Sequence, residues 1–294
     1  MNKLSEHRLK RLLDSGQKHI FEGRQIGVEK ESLRVAENGS ISQMPHPESL
    51  GSALTNAYIT TDFSEALLEF ITPPCESIKD ALVFLDDVQT FVYSRLGDET
   101  LWATSMPCVV AGGESIPIAH YGRSNSGVMK TVYRRGLGYR YGRTMQVIAG
   151  VHFNYSVSES FWDLYQGLQG DTGDRQDFIS EQYMGLVRNM LRYGWMIPYL
   201  FGASPAVCKS FLHGEPTMLS EFNENTLYEP YATSLRMGDI GYTNNLEDMA
   251  GIKADYSSLS AYVKSLQCAI VKPFASYEEI GVKVDGEYRQ LNAN

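Results

Sequence analysis

The sequence predicts an α+β fold with an antiparallel sheet, because helical segments interrupt strands in which apolar and polar residues alternate. Residues 77–96 are the clearest helix, with apolar side chains at the 3.6-residue period and Gly97 after the end. Residues 145–156 are the clearest alternating strand, with apolar side chains from Val147 to Tyr155 on one face and a largely polar opposite face. We expect that strand to place one face on the core and the other on a wet cavity.

The other elements are predicted from local patterns along the chain. A helix is expected over residues 4–15, a strand over 27–35 and a loop over 36–60, which contains the turn signal Asn38-Gly39. Residues 111–143 are predicted to be mostly loop with a helical piece near 126–137, and residues 206–246 to be irregular. Helices are expected over 178–193 and 256–271, followed by a hairpin that turns at Asp285-Gly286.

Residues 60–73 can be interpreted in two ways. The pattern Asp62-x-x-Glu65 before an apolar run resembles a capping box, which would begin a short helix. As a strand, the same segment places Leu67, Glu69 and Ile71 on one face. We prefer the strand, because it could pair with residues 27–35 and direct Glu69 into the same space as the carboxylates of that strand.

Composition limits the classes of function. The 294 residues allow one large domain, and the formal net charge of −9 argues against a general nucleic-acid-binding protein, which needs a basic surface. No apolar run is long enough for a membrane span, and the polar N-terminus has no signal-peptide pattern. The four widely spaced cysteines are typical of reduced thiols. We expect no nucleic-acid partner, no membrane span and a cytoplasmic location.

Two glutamates in the first predicted strand indicate a cation site. Glu29 and Glu31 lie two positions apart on one face, which is roughly 7 Å along a strand. At an effective dielectric constant near 20, two negative charges at that distance repel by about 2–2.5 kcal/mol. A hard divalent cation would offset the repulsion because it takes oxygen ligands. An edge strand with both carboxylates in water is an equally acceptable alternative.

Further polar residues extend this candidate site. Asp62, Glu69 and His152 fall on or beside predicted strands, and oxygen ligands with one imidazole suit Mg²⁺ or Mn²⁺. Taken alone, His152 is more often a satisfied strand histidine, and Asp62 a cap or turn residue. The basic and aromatic segment 133–143 could bind carboxylates or phosphates through guanidinium groups, or could be a solvated loop. The polar segment 231–244 around Arg236 could be a ligand-binding loop or an ordinary surface loop.

The missing motifs are also informative. The sequence has no GxxxxGK[ST] motif, no HExxH motif and no EF-hand loop, and the glycines of residues 136–142 only approach the GxGxxG spacing. An acidic cluster together with arginines is suited to ATP-dependent phosphoryl transfer without a P-loop, since metal ions bridge phosphate oxygens and arginines stabilise transferring charge.

Seven segments together resemble the proteobacterial type of glutamate–cysteine ligase, in collinear order over essentially the whole chain. They are GVEKESLR at 27–34, TTDF to LEFITP within 60–73, SMPC at 105–108, YG-x-SN at 121–125, GVHFN at 150–154, W-x-IPYLFGASP at 195–205 and YATSLR at 231–236. The resemblance implies a glutamine-synthetase-like antiparallel sheet curved into a funnel, with surrounding helices. It also implies that ATP phosphorylates the γ-carboxylate of L-glutamate and that the amino group of L-cysteine then attacks, giving γ-glutamylcysteine, ADP and phosphate.

The resemblance assigns roles to individual residues. It implies a site for Mg²⁺, with Mn²⁺ as an alternative, at Glu29, Glu31, Asp62, Glu69 and His152. It implies substrate contacts for Phe63 on the cysteine side and for Tyr133, Arg236 and Tyr242, with catalytic roles for Arg134 and Arg236, and contacts to ATP for Gln146 and Asn154.

Members of this family continue beyond the position that matches Asn294. We therefore expect residues 1–294 to be the N-terminal portion of one catalytic domain, with a sheet that is incomplete at its C-terminal end and a complementing C-terminal part or second chain as partner. Two alternatives remain: a ligase of the same fold with another amine acceptor, and an inactive fragment that needs a partner chain.

Overall fold

The protein is described by a computed structural model that covers residues 3–17, 19, 22–107, 109–214, 216–235, 238, 240 and 253–294. The main sheet is built around β1 (Arg24–Val35), which pairs antiparallel along one edge with β3 (Leu67–Ile71). β2 (Ile59–Thr61) continues the sheet beyond β3. Along the other edge of β1 lie β5 (Val151–Val157) and the short β4 (Thr100–Leu101). The predicted α+β class with an antiparallel sheet is confirmed.

Helices precede, separate and follow the strands along the chain. They are α1 (Lys3–Asp14), α2 (Ile78–Tyr93), α3 (Asn125–Tyr141), α4 (Glu159–Gln169), α5 (Arg175–Tyr193), α6 (Met196–Phe201), α7 (Leu259–Val271) and α8 (Ala275–Ile280). The predicted helices over 4–15, 77–96, 178–193 and 256–271 are therefore confirmed. Along the described ranges, no helix combines the length and the apolar character that crossing a bilayer requires.

Two smaller sheets complete the fold. β6 (Ala206–Cys208), β7 (Ser220–Asn223) and β8 (Thr226–Tyr228) form a three-stranded antiparallel sheet within the region predicted to be irregular. β9 (Lys283–Val284) and β10 (Glu287–Tyr288) form the predicted hairpin, in which Asp285 and Gly286 both have positive φ angles, as a tight primed turn requires.

The main sheet separates an apolar core from the face that carries the predicted site. Leu68 and Phe70 of β3 pack with Leu85 and Val92 of α2 on one face. Alternation then places Glu69 on the opposite face, as it does Glu29 and Glu31 of β1. The strand interpretation of residues 67–71 is confirmed, and Asp62 lies in the turn between β2 and β3 instead of capping a helix.

Helix α3 is longer than the helical piece predicted near residues 126–137. Ser124 begins it by accepting a hydrogen bond from the amide of Gly127, and it runs to Tyr141. Its glycines, which lower helix propensity in the sequence, are sites of close packing. A Cβ at Gly136 would lie only 3.0 Å from the Cβ of Gln290. Tertiary contact therefore overrides local propensity here.

The prediction for residues 145–156 is partly wrong. Residues 144–147 form a short 3₁₀ helix, and the strand begins only at Val151. Val147 and Ala149 are buried as expected, but Phe153 is 59 % exposed and its neighbours on the same face, Val151 and Tyr155, are also exposed. The physical reason is that β5 is an edge strand that pairs only with β1 among the described residues, and no described element covers that apolar face.

Candidate active site

A cavity of about 570 Å³ opens beside the polar face of the main sheet. Its walls come from β1, the turn after β2, α3, the segment that leads into β5, and residues near 204 and 234. Seven of the sequence-predicted site residues line it: Glu31, Asp62, Phe63, Tyr133, Arg134, Gln146 and His152. The structure thus brings together residues that are up to 121 positions apart (Glu31 to His152) in one concave site.

The strand register places two acidic residues opposite each other. Glu31 of β1 pairs directly with Glu69 of β3. The pKa of Glu69 is raised to about 7. Burial is the main cause, and the negative charges of Asp62 and Glu31 contribute to the same increase. Burial also raises the pKa of Glu31, although the amide of Gly150 donates a 2.7 Å hydrogen bond to its Oε2. These carboxyl groups therefore repel one another in a partly desolvated place.

Glu29 is engaged by the neighbouring strand. His152 Nδ1 lies 3.0 Å from Glu29 Oε2, and Asn154 Nδ2 donates a 2.8 Å hydrogen bond to Oε1. The hydrogen bond from His152 lowers the pKa of Glu29, and the same contact raises the pKa of His152. The carboxylate of Glu29 thereby orients the imidazole. Asn154, predicted to contact ATP, is here a partner of Glu29, and its predicted role in ATP binding stays a prediction.

Gly150 creates the space in which two polar groups converge. A Cβ at this position would lie 3.1 Å from His152 Nε2 and 3.5 Å from Glu31 Oε2. A histidine that donates one ring N–H to a carboxylate can offer its second nitrogen to a metal. Within the described ranges, however, no three His, Cys, Asp or Glu side chains already form a metal-binding group. The side chains of Glu31 and His152 are close together, but they do not form a complete metal coordination shell with a third such residue among the described ones.

The basic residue at the cavity is held by backbone oxygens. Arg134 Nε donates to the carbonyl of Asp62, Nη1 to the carbonyl of Lys130 at 3.1 Å, and Nη2 to the carbonyl of Thr61 at 3.4 Å. A guanidinium has five N–H donors, so two remain beyond these three bonds. Tyr133, the preceding residue on α3, is half exposed and lines the same cavity.

Phe63 and Gln146 lie in the wall of the cavity. Phe63 is only 1 % exposed and belongs to the apolar cluster that contains Leu33, Leu67 and Val147, so it supports the core as well as the cavity. Gln146 is 8 % exposed, and its Nε2 has no hydrogen-bond partner in the described part of the chain. A buried amide donor in a cavity wall is suited to a ligand oxygen or ring nitrogen.

Some site residues were missed by sequence reasoning, and some predicted ones cannot be placed. Gly150 and the serines of the wall (Ser105, Ser204 and Ser234) gave no chemical signal, although all four lie inside segments that resemble the family. Arg236 and Tyr242, predicted for substrate binding, lie outside the described residues. Glu29, Glu69 and Asn154 do not line the cavity. Glu29 and Glu69 are paired in register with His152 and Glu31, which do line it, and Asn154 reaches the site through its hydrogen bond to Glu29.

Comparison with known proteins gives a consistent result. The profile of the family described as glutamate-cysteine ligase matches residues 9–294. A glutamate–cysteine ligase of Alcanivorax borkumensis is 51 % identical over 98 % of this chain and 56 % of its own length, and one of Pseudomonas putida is 53 % identical over 91 % and 51 %. The chain therefore spans about half the length of the curated relatives that it matches.

Solved structures agree with this relationship. The glutamate–cysteine ligase of Francisella tularensis in complex with AMP superposes with a TM-score of 0.84 at 38 % identity, covering 92 % of this chain and 53 % of that one. A bifunctional glutathione synthetase from Pasteurella multocida gives a TM-score of 0.75 at 28 % identity, covering 92 % and 33 %. On the sequence match over nearly its whole length, this chain belongs to the glutamate–cysteine ligase family.

Proposed function

We propose that the cavity beside β1 takes part in the ATP-dependent ligation of L-glutamate to L-cysteine. One observation carries the proposal: Glu31, Asp62 and His152 line one cavity, and Glu69 is paired directly with Glu31 beside it. Membership of the family supports the same reaction, since its curated relatives are glutamate–cysteine ligases. The small-molecule partners proposed are ATP, glutamate and cysteine, and the proposed location is the cytoplasm.

The carboxyl groups fit a hard divalent cation. Glu31 and Glu69 have raised pKa values because they are partly buried near other acidic groups, and a bound cation would remove that repulsion. We assign Mg²⁺ or Mn²⁺ to Glu31, Asp62, Glu69 and His152, with Glu29 either as a further ligand or as the group that orients His152. When bound, the ion would neutralise phosphate charge and so lower the barrier to phosphoryl transfer.

The remaining groups of the cavity suit substrate binding and orientation. In the proposed reaction, a γ-carboxylate oxygen of glutamate attacks the terminal phosphorus of ATP, and ADP leaves. The cysteine amine then attacks the acyl carbon, loses a proton, and inorganic phosphate leaves. Gln146 offers a buried donor that has no partner among the described residues, and Arg134 has two N–H groups beyond those bound to carbonyls. Tyr133 and Phe63 provide aromatic surface at the cavity.

The test is ADP release by the purified 294-residue chain with Mg²⁺, ATP and glutamate, comparing cysteine with other amino acids as acceptor. We expect release that depends on both glutamate and cysteine. The variant Glu31→Gln should lose at least about a hundredfold in rate, because it removes a charge from the proposed metal site. Glu221→Gln is the matched control, because Glu221 is an exposed glutamate on β7 that is paired with Lys209.

Each outcome separates one alternative from the proposal. A preference for an amine without a thiol would replace cysteine as the acceptor while keeping the ligase chemistry. A folded chain that binds ATP but releases no ADP would indicate a form that needs a complementing chain. Equal rates for the Glu31→Gln and Glu221→Gln variants would contradict the assigned metal site.

A further inference from the structure

The turn that carries Asp62 is held from behind by a tyrosine that does not line the cavity. Tyr121 is 5 % exposed, and its hydroxyl donates to the carbonyl oxygen of Thr61 at 2.7 Å and also lies 3.2 Å from that of Asp62. The same hydroxyl accepts a 3.0 Å hydrogen bond from Thr61 Oγ1. One buried phenol therefore contacts both of the peptide groups that flank Asp62.

Arg134 binds the same two carbonyl oxygens. Its Nε donates to Asp62 and its Nη2 to Thr61. The guanidinium also stacks over the ring of Tyr121, with 4.6 Å from Cζ to the ring centroid. The Thr61 carbonyl thus receives donors from both side chains, and the Asp62 carbonyl receives Arg134 Nε and lies near the Tyr121 hydroxyl, so a change in the backbone at Asp62 would break several hydrogen bonds at once.

A close backbone approach brings Tyr121 to α3. Gly127 lies in the first turn of the helix, where a Cβ would be only 2.2 Å from the carbonyl oxygen of Tyr121. Only glycine allows this approach. Ser124 caps the same turn. Gly122, which follows Tyr121, has a φ of +84°. The segment 121–127 therefore serves to seat Tyr121 against the face of α3 that carries Arg134.

We propose that Tyr121 is a positioning residue that, together with Arg134, fixes the backbone of Asp62 and so sets the place of its carboxylate in the cation site. The proposal rests on the metal role assigned to Asp62 above. It also changes the part played by Arg134: its bonds to the Thr61 and Asp62 carbonyls give it a positioning function that is separate from any contact with substrate. Tyr121 acts only through the backbone, because it is absent from the cavity wall.

The test compares two tyrosine-to-phenylalanine variants of the full chain. Tyr121→Phe removes the clamping hydroxyl, and Tyr141→Phe is the matched control, because it removes a phenol that is bound to Tyr277 at 2.8 Å, away from Asp62. Hydrogen–deuterium exchange is measured in the absence of metal on a peptide that contains residues 61–67. This segment includes the amide of Asp62, which donates to the carbonyl of Leu67. Tyr121→Phe should speed exchange there by about fivefold, the effect of losing one hydrogen bond, and the control should not.

The second measurement is Mn²⁺ affinity, followed by electron paramagnetic resonance of the free ion. We expect Tyr121→Phe to weaken binding by at least about threefold and Tyr141→Phe to leave it unchanged, since groups behind a ligand tune metal affinity. Arg134→Lys keeps the positive charge but removes the guanidinium group that donates to both carbonyls. It should resemble Tyr121→Phe in both measurements.

The outcomes separate this inference from the proposed function. Unchanged exchange over residues 61–67 in Tyr121→Phe would overturn the clamp, whatever the chain does with ATP. Faster exchange with unchanged Mn²⁺ affinity would overturn the link between the clamp and the site. If the unsubstituted chain bound no Mn²⁺, the metal assignment under the proposed function would fail, and exchange would still decide whether the clamp exists.

Discussion

Glu31 of β1 and Glu69 of β3 are directly opposite residues in an antiparallel strand pair, and both carboxyl groups are partly buried on the face that carries the candidate site. Like charges placed directly across a sheet destabilise it. The metal-free protein therefore contains an electrostatic cost at this pair, and a ligand that neutralises the pair should recover it.

Replacing Glu69 should stabilise the metal-free protein at alkaline pH. The carboxyl of Glu69 ionises near pH 4.5 when unfolded but near pH 7 when folded, so its contribution to the free energy of unfolding falls as pH rises from about 4.5 to about 7. Glu69→Gln should raise that free energy at pH 8 by about 1–2 kcal/mol after discounting for solvent screening, and by little at pH 4.5. Urea unfolding with EDTA measures both values, and an equal gain at both pH values would contradict the argument.

Replacing Glu29 should change the titration of His152. The hydrogen bond from His152 to Glu29 raises the pKa of the imidazole, so Glu29→Gln should return that pKa toward its ordinary value. Nuclear magnetic resonance titration of the His152 ring measures the change, with the exposed Glu221→Gln as control. We also expect the proposed ligase activity to fall sharply in Glu29→Gln while the fold is kept, and unchanged turnover would count against the assigned site.

Gln146 should contribute to substrate binding. Its buried Nε2 is unpaired within the described ranges and lies in the cavity wall, so Gln146→Leu should raise the KM of one substrate by about five- to tenfold through the loss of one hydrogen bond. Gln169→Leu is a matched control, because Gln169 Nε2 is also buried and unpaired there but lies on α4, outside the cavity. The same KM in both variants would remove Gln146 from the binding site.

Phe63 should matter first for stability. Its side chain is fully buried among the residues of the apolar cluster, so Phe63→Ala should lower the free energy of unfolding by about 3–5 kcal/mol. Phe222→Ala should cost less than about 0.5 kcal/mol, because Phe222 is 67 % exposed on β7. Guanidinium unfolding curves measure both losses. A small loss for Phe63→Ala would show that the ring belongs to the ligand site more than to the core.

The exposed edge strand should promote self-association. Phe153 lies on β5 with its ring largely in solvent, and no described strand pairs with the outer edge of β5. A lysine on an edge strand opposes edge-to-edge pairing, so Phe153→Lys should reduce concentration-dependent association in light scattering. Met218→Lys, at an exposed position outside that strand, is the control and should change little.

Local patterns were sufficient to predict β1, α2 and the C-terminal hairpin. For β3 the local pattern also fitted a helix, and the strand was preferred because it could pair with residues 27–35. The sequence predicted that Glu69 would lie near Glu31, but not that the two would be directly opposite. No tight turn joins β1 to β3, because residues 36–66 lie between them, so the sequence does not define the register of that pair. The carboxylates, His152 and Gln146 were found partly by residue pattern and partly by family resemblance.

The remaining differences have tertiary causes. The length of α3 depends on glycines that pack against Gln290 and Tyr121, and contact over such a distance in sequence leaves no local signal. The burial of Val151 and Tyr155 depends on which elements cover β5, and an alternating pattern cannot distinguish a covered face from an exposed one. The clamp on Asp62 combines segments 61–62, 121 and 134, none of which contains a motif for it.

Helix α3 joins two distant parts of the molecule. Arg134 holds the turn of Asp62, and six residues further along Arg140 donates to the side chain of Gln290 and to the carbonyl of Asn292. That interval is about 9 Å along a helix, which moves as a stiff rod over such a length. We therefore expect energetic coupling between residues 290–294 and the turn of Asp62, which a double-mutant cycle with Arg134→Lys and Gln290→Ala would measure.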